Sequence, residues 1–173
     1  MHTPDQDELL DVVDAQDRVI GVEKRSIVYQ QNLSFRVVNG FVINSQGKFW
    51  IPRRTAHKKL FPLALDASVG GHVASGESYD AAFVRETQEE LGIDLKPGSY
   101  TSVVRLTPHE HGTSAFMWVY VIFQDAVPCY NKNDFVEFYW LTPDEFFERL
   151  SASDHGKNDL LIMLKYLKNI PLR

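Results

Sequence analysis

The chain has 173 residues, of which 44% are hydrophobic and 24% are charged, which is the composition of an ordinary globular domain and excludes disordered, collagenous and fibrous proteins. The 18 basic and 23 acidic residues give a formal net charge of −5, which argues against binding a nucleic acid polymer through its phosphates. The single cysteine, Cys129, cannot form an internal disulfide, and no apolar run reaches the roughly 20 residues of a membrane span. We expect a cytoplasmic protein without a membrane anchor.

The first part of the chain is predicted to be mostly β-structure. ELLDVV and RVIGVEK, joined by a polar turn, predict a hairpin at about 8–25. SIVYQQN is compatible with a helical turn or a strand. FRVVNGFVIN and KFWIPRR predict two strands around a tight turn. RTAHKKLFPLA is basic and interrupted by proline, which indicates an exposed loop, and LDASVGGH predicts a short strand that ends in a glycine bend.

The second part combines helices with strands. A helix is predicted over 78–91, where apolar residues recur at helical spacing and a glycine follows. SYTSVVRL, SAFMWVYVIFQD and FVEFYWL predict strands, the second apolar enough to be buried on both faces. A capping box of Thr142 and Glu145 begins the C-terminal helices, at about 143–169. Without repeats or linkers, we expect residues 1–173 to form a single α/β domain.

Three glutamates of the predicted helix, Glu86, Glu89 and Glu90, stand at i, i+3 and i+4 and therefore share one face. Like charges at this spacing raise one another's pKa, so they normally have a compensating partner. Mg²⁺ is a suitable partner, because it prefers carboxylate, water and phosphate oxygens. Gly70 and Gly71 also permit a backbone whose carbonyl points at a metal. The alternative is a solvated, Glu-rich helix face, and composition alone leaves it open.

The spacing of the whole segment is more specific than the glutamates alone. The segment 71–93 has a fixed spacing: Gly71 is followed by five residues and Glu77, and Glu77 is followed by seven residues and RETQEELGI. This spacing resembles the Nudix box, the loop–helix–loop signature of Nudix hydrolases. Only Thr87 departs from it, since the family usually has an aliphatic residue there. The resemblance implies the Nudix fold, an α/β/α sandwich around a mixed β-sheet. It also implies Mg²⁺- or Mn²⁺-dependent cleavage of a diphosphate linked to another moiety.

The resemblance also implies roles for the residues that match the box. The expected metal ligands are Glu86, Glu89, Glu90 and the carbonyl of Gly70. Arg85 would pair with Glu77 or a neighbouring glutamate and hold the carboxylates in register. The metals would neutralise the diphosphate and position an attacking water, and Glu86 or Glu90 would take the proton of that water.

In some members of the family the catalytic base lies outside the box. Glu137 and Glu110 are the candidates for such an external base, and the sequence does not rank them. Glu110 stands between two histidines in His109-Glu110-His111, which has the look of a metal cluster. A polar loop between strands is the favoured interpretation, because neighbouring residues of a strand point to opposite faces.

Beyond the box, the chain is similar to the branch that contains type I isopentenyl-diphosphate isomerases and their hydrolase-like bacterial relatives. In the isomerases, the arginine and lysine of an RRxxxKK stretch hold the diphosphate. The matching positions imply a substrate-binding set, to which we add a histidine kept from the isomerase motif: Arg54, Lys58, Arg53, Lys59 and His72. A solvated basic loop is the alternative, although a basic loop beside a carboxylate–metal site suits a diphosphate substrate.

The chain lacks the residues that the isomerase reaction needs. SVGGH has Gly70 where the isomerases have a cysteine, and a glycine has no side chain to exchange a proton. Val28 and Phe35 stand where the isomerase histidines are expected. Because the box keeps all its glutamates, we predict a hydrolase, with the isomerase as the alternative and a non-catalytic nucleotide-sensing module as a less favoured one. The expected partner is a small-molecule diphosphate, and the chain is expected to be a monomer or a homodimer.

The acidic excess is concentrated in the same segment. Residues 77–94 contain six acids and one base, so this segment accounts for the whole net charge of −5 and the remainder of the chain is balanced. Two or three divalent cations would about cancel that charge.

Overall fold

The computed structural model describes residues 7–152 and 154–168, which form eight strands and five helices. The strands are β1 (Leu9–Val13), β2 (Val19–Lys24), β3 (Arg36–Ile43), β4 (Phe49–Arg54), β5 (Val69–His72), β6 (Tyr100–Leu106), β7 (Phe116–Phe123) and β8 (Phe135–Leu141). The helices are α1 (Arg25–Gln30), α2 (Tyr79–Leu91), α3 (Pro108–His111), α4 (Pro143–Ala152) and α5 (Leu160–Leu167).

A mixed sheet with the strand order β6-β7-β3-β4-β8 forms the centre of the molecule. β7 runs parallel to β3 along its whole length. Two strands pair with the other edge of β3, both antiparallel to it. β5 pairs with residues 37–40, and β4 pairs only at its first residue, Phe49, which lies opposite Ile43. Ser68 bridges the two diverging strands, since its Oγ accepts from the amide of Val42 and donates to the carbonyl of Trp50. This divergence separates β5 from β4 at the place where the glycines of β5 lie.

Helices cover both faces of the sheet, as the α/β/α sandwich predicted. One core lies between the sheet and α2, and it contains Phe83 and Leu91 of that helix. The second core lies between the sheet and the C-terminal helices, with Phe146 of α4 and Leu164 of α5. β7 alternates its side chains between the two cores, which explains why its sequence is apolar without period-two polarity.

The N-terminal hairpin packs beside this sandwich as a separate two-stranded sheet. SIVYQQN forms the helix α1, whose Val28 is buried against Leu10 and Phe35. Asp17, in the hairpin turn, accepts hydrogen bonds from Arg36, Arg105 and the hydroxyl of Tyr79. Because Tyr79 opens α2, the hairpin is attached to the helix that carries the box.

The segment around His109-Glu110-His111 lies in the connection between β6 and β7, as the predicted polar loop did, and within it forms one helical turn, α3. Thr107 caps this turn, since its Oγ1 accepts from the amide of Glu110, and Pro108 suits the first helical position. The capping box of α4 is present, with reciprocal hydrogen bonds between Thr142 and Glu145. Residue 169, the expected end of the last helix, lies outside the described residues. Across 7–152 and 154–168, no helix is long and apolar enough to cross a membrane.

Candidate active site

The helix of the box, α2, is defined by its two ends. Ser78 accepts a hydrogen bond from the amide of Ala81 at 3.2 Å, which caps the N-terminus. Gly92 ends the helix in the left-handed conformation, at φ 64°, and its amide donates to the carbonyl of Gln88. Thr87, the departure from the family pattern, is fully buried, but its hydroxyl donates to the carbonyl of Phe83 at 2.7 Å. The polar atom is therefore satisfied and the helix keeps its place on the sheet.

Glu86 lies against the backbone of β5. A Cβ atom on Gly71 would come within 2.1 Å of Oε1 of Glu86, which is a distance that real contacts essentially never reach. The glycine of the box is thus required by the close approach of a carboxylate rather than by an unusual backbone conformation. Helix α2 is itself close to the sheet, because the absence of a side chain at Gly40 admits the ring of Phe83.

Glu90 reaches the neighbouring glycine of β5. The amide of Gly70 donates to Oε2 of Glu90 at 3.0 Å. In a strand, the N–H and C=O groups of one residue point to the same edge. The carbonyl of Gly70 therefore faces the side on which the carboxylate of Glu90 lies.

Arg85 connects the loop and the helix of the box. Its guanidinium makes a two-pronged interaction with Glu77, at 3.0 and 2.9 Å, and donates to the carbonyl of His72 at 3.0 Å. The remaining nitrogen lies 2.7 Å from Oε1 of Glu86 and 3.7 Å from Oε2 of Glu89. One cation thus fixes Glu77 at the start of the box and lies between two of the helix carboxylates.

The two inner glutamates have strongly shifted acidities. Burial raises the pKa of Glu86 to about 7, with Arg85 opposing the shift and Glu89 and Glu8 adding to it. Burial also raises the pKa of Glu90 to about 8, and the charge of Glu86 adds to that shift. Both groups are carboxylates whose charged form is poorly compensated by the protein, and a cation beside them would reverse these shifts.

The carboxylates are engaged by the protein in this structure. Glu86 is turned onto Arg85, Glu90 onto the amide of Gly70, and Glu89 is exposed. Among residues 7–152 and 154–168, no three His, Cys, Asp or Glu side chains form a group that could hold a metal ion as they stand. The predicted metal ligands therefore lie on one helix face and one strand edge, but their side chains would have to turn to meet a common ion.

The basic loop after β4 brings cations next to acids from distant parts of the chain. Arg54 pairs with the buried Asp66 at 2.6 Å, and Lys58 pairs with Asp134. Lys59 is exposed and makes no hydrogen bond or ion pair within the described part of the chain.

Arg53 is the most constrained cation of this loop. It donates to Asp154, to Glu137, to the hydroxyl of Tyr139 and to the carbonyl of Leu63. The structure thus surrounds Arg53 with protein acceptors.

The remaining predicted site residues, His72, Glu137 and Glu110, lie on three different elements. His72 follows Gly71 in β5; its Nε2 is 3.0 Å from the hydroxyl of Tyr29, and burial lowers its pKa to about 4. Glu137 lies on β8, opposite Arg53, and hydrogen bonds from Tyr139 and Arg53 lower its pKa. Glu110 lies on α3 with an exposed side chain beside Thr107. No direct contact in the described residues joins Glu137 or Glu110 to the glutamates of the box.

Two charged residues near the site were not found from the sequence. Asp66, before β5, is 3% exposed and accepts from Arg54. Lys157, between α4 and α5, lies 3.5 Å from Asp66. Neither belongs to the Nudix box or to the basic stretch, and their proximity arises from contacts between segments far apart in the chain.

A recess of about 740 Å³ lies between the basic loop after β4 and the segment that leads into β8. Its walls include Thr55, His57, Tyr130, Lys132 and Phe135. The segment that carries Tyr130 and Lys132 is attached to the box helix, because the amide of residue 131 donates to the carbonyl of Glu90 at 2.8 Å. One wall of the recess is therefore attached to the box helix, although no residue of α2 lines it.

Comparisons with known proteins agree with this geometry. The chain matches the NUDIX domain model over residues 33–161. An uncharacterized Nudix hydrolase of Nostoc sp. is 52% identical over 159 residues, which cover 91% of this chain and 94% of that protein. The crystal structure of a protein from Deinococcus radiodurans superimposes with a TM-score of 0.86 at 42% identity, covering 91% of this chain and 98% of the other.

An isopentenyl-diphosphate Delta-isomerase of Serratia proteamaculans is 33% identical over 124 residues, which cover 70% of this chain and 69% of the isomerase. The family model covers most of the chain, and the matched range includes the box, which the structure places on β5, the following loop and α2. The chain therefore belongs to the Nudix family, as a Nudix-type pyrophosphohydrolase.

Proposed function

We propose that the chain is a Mg²⁺- or Mn²⁺-dependent hydrolase that cleaves the diphosphate linkage of a nucleoside diphosphate derivative or a related organic diphosphate. The observation that carries this proposal is the convergence of Glu86 and Glu90 on the glycines of β5. Two carboxyl groups with raised pKa, held against a backbone edge, form an anionic centre that calls for a cation.

The donor set fits a hard divalent cation. Glu86, Glu89 and Glu90 would hold it, together with the carbonyl of Gly70. All four donors are oxygens, the ligands that Mg²⁺ and Mn²⁺ prefer, and water and substrate oxygens would complete the coordination. When bound, the metal supplies charge neutralisation for the diphosphate and activation of a water molecule.

The protein groups divide the remaining tasks. Glu86 or Glu90 would accept the proton of the attacking water, since both carboxyl groups lie beside the glycines of β5, where the metal would be held. Arg85 keeps Glu77 and Glu86 in place through its fixed guanidinium. An external base at Glu137 is less favoured, because hydrogen bonds from Tyr139 and Arg53 lower the pKa of that carboxylate.

The substrate is held by cations outside the box. Arg54, Lys58 and Lys59 would face the diphosphate, with Arg53 positioning the loop and His72 beside the glycines. The recess between the basic loop and β8 would offer room for the moiety beyond the diphosphate, since its volume of about 740 Å³ lies within the range of small-molecule sites.

The isomerase is a second candidate because of the relative in Serratia proteamaculans. The structure gives a reason to disfavour it. A Cβ atom on Gly70, where the isomerases have a cysteine, would lie 2.9 Å from Oδ1 of Asn39 and 3.3 Å from Nζ of Lys157. A cysteine would thus displace the groups that line this glycine. Incubation with isopentenyl diphosphate tests the alternative, and formation of the dimethylallyl isomer at enzymatic rates would establish it.

A substrate screen tests the proposed hydrolysis directly. Nucleoside diphosphate derivatives, dinucleoside polyphosphates and isoprenoid diphosphates are incubated with Mg²⁺ and the released phosphates are measured. We expect turnover of at least one class, its loss with chelator, and its loss in Glu90→Gln. The matched control is Glu148→Gln, because Glu148 is an exposed acid on α4 without a hydrogen bond or ion pair among the described residues. Full activity of Glu90→Gln would refute the site assignment.

A further inference from the structure

Lys157 reaches the candidate active site from a segment that lies outside the Nudix box. Residues 155–157 run beside Leu65, since the amide of Leu65 donates to the carbonyl of His155 at 2.7 Å and the amide of Lys157 donates to the carbonyl of Leu65 at 2.9 Å. A Cβ atom on Gly156 would lie 2.8 Å from a methyl group of Leu150. Close packing and two backbone hydrogen bonds therefore fix the direction from which Lys157 enters.

The ammonium group of Lys157 lies over Gly70. Its Nζ atom is 3.3 Å from the place that a Cβ atom on Gly70 would occupy. Gly70 is also the residue whose amide binds Glu90 and whose carbonyl faces the proposed metal. Burial raises the pKa of Glu90 and lowers the pKa of His72; the positive charge of Lys157 partly opposes the first shift and adds to the second. A cation thus lies at the border of the carboxylate centre.

The ammonium group of Lys157 has only a weak ion-pair partner among the described residues. Asp66, its ion-pair partner at 3.5 Å, already receives a shorter bond from Arg54 at 2.6 Å and one from the amide of Ala67. The side chain of Lys157 also keeps 29% of its surface exposed, against 5% for Asp66. Its ammonium group therefore retains donors that face solvent at the edge of the site.

We propose that Lys157 is a substrate-binding residue that donates to a non-bridging oxygen of the diphosphate. This inference rests on the proposed function, because it assigns a contact within the same site. A diphosphate bound to a metal on Glu86 and Glu90 would extend past Gly70, and a fixed cation there would neutralise oxygens that the metal does not reach. Lys157 and Arg54 would flank this position, joined through Asp66.

Steady-state kinetics on Lys157→Met and Lys157→Arg test the assignment. Loss of a charge-assisted hydrogen bond should raise KM for the diphosphate substrate by about tenfold or more in Lys157→Met. We expect kcat to change by less than about threefold and Lys157→Arg to restore most of the affinity, because it keeps the charge. The matched control is Lys165→Met on α5, an exposed lysine without a hydrogen bond or ion pair in the described ranges.

Calorimetric binding of methylenediphosphonate, a diphosphate analogue that cannot be hydrolysed, provides a readout without turnover. In the presence of Mg²⁺, wild type should bind the probe and Lys157→Met should bind it about tenfold more weakly. Equal binding by both proteins would overturn the assignment, as would a fall in melting temperature and kcat with KM unchanged, which indicates a structural role. If wild type binds the probe but hydrolyses no diphosphate in the screen, the proposed function fails while the binding role of Lys157 stands.

Discussion

A Cβ atom on residue 71 would lie 2.0 Å from Cδ of Glu86, so the carboxylate of Glu86 packs directly on the backbone of Gly71. Gly71 has no left-handed backbone conformation that demands glycine, and its role is to leave space. The fixed spacing between Gly71 and Glu86 in the box therefore reflects a contact between β5 and α2. This contact holds the carboxylate of Glu86 beside the edge of β5.

Gly71→Ala should consequently impair activity more than stability. The added methyl group forces Glu86 away from β5, and a displacement of about 1 Å at a catalytic group can cost about 100-fold in rate. The measurement is kcat/KM with the substrate found in the screen, alongside the melting temperature. Gly21→Ala is the control, since its new Cβ would meet nothing closer than Val12 at 4.0 Å. Unchanged kcat/KM in Gly71→Ala would show that the position of Glu86 is not critical.

The raised pKa values predict how stability depends on pH in protein stripped of divalent ions. The ordinary pKa of a glutamate is 4.5, against about 7 for Glu86 and about 8 for Glu90. The folded state therefore binds more protons than the unfolded state above pH 4.5. The resulting stabilisation is complete below about pH 4.5 and is lost as the pH rises through 7 and 8.

Urea denaturation at pH 6 and pH 8 measures this effect. Chelator-treated wild type should lose on the order of 3 kcal/mol over this interval, and Glu90→Gln should lose clearly less, because it removes one of the two groups. Mg²⁺ at pH 8 should restore stability to wild type more than to the variant, since the metal binds the ionised carboxylates. If the stability of wild type and of Glu90→Gln depended on pH in the same way, the raised pKa assigned to Glu90 would be contradicted.

The sequence predicted the box helix well because its determinants are local. Ser78 and Gly92 act on backbone groups within a few residues, so the ends of α2 follow from the pattern alone. The segment SIVYQQN was ambiguous for the opposite reason. Its helix is decided by the burial of Val28 against Leu10 and Phe35, which lie on other elements.

The surroundings of the box were harder to predict because they depend on distant contacts. Asp66 meets Lys157 across about half the length of the chain, and no motif marks either residue. The basic loop was recognised as a cation-rich segment. Its pattern, however, did not indicate that Arg53 would be enclosed by Asp154 and Glu137, since these acids follow other elements.

Arg85 should contribute to stability chiefly through its two-pronged contact with Glu77. Arg85→Lys keeps the charge but cannot reproduce the paired geometry, so we expect a loss of about 1–2 kcal/mol. A double-mutant cycle with Glu77→Gln measures the coupling by urea denaturation. The side chains are 30% and 17% exposed, which places the pair partly within the protein. A coupling energy near zero would mean that Glu77 and Arg85 do not support each other.

Arg53 and Lys59 lie in the same basic loop but should respond differently to substitution by methionine. Arg53 is 16% exposed at its side chain and donates to four protein groups. Arg53→Met removes these hydrogen bonds and the cation beside Glu137, while Asp154 keeps its ion pair with Arg149. We expect it to lose about 1–2 kcal/mol of stability, since it removes the charge-assisted hydrogen bonds of a mostly buried guanidinium. Lys59 is exposed and has no such partners within the described ranges.

Lys59→Met should therefore leave the melting temperature unchanged and raise KM by about threefold to tenfold, because it removes an exposed charge that would face the proposed anionic substrate. The difference in KM between Lys59→Met and wild type should become smaller at high salt. Salt screens the attraction between the exposed lysine of the wild type and the anionic substrate, so its removal then matters less. Thermal denaturation and KM at two ionic strengths separate the two residues. A destabilised Lys59→Met, or an unaltered KM at low salt, would show that this lysine does not serve the substrate.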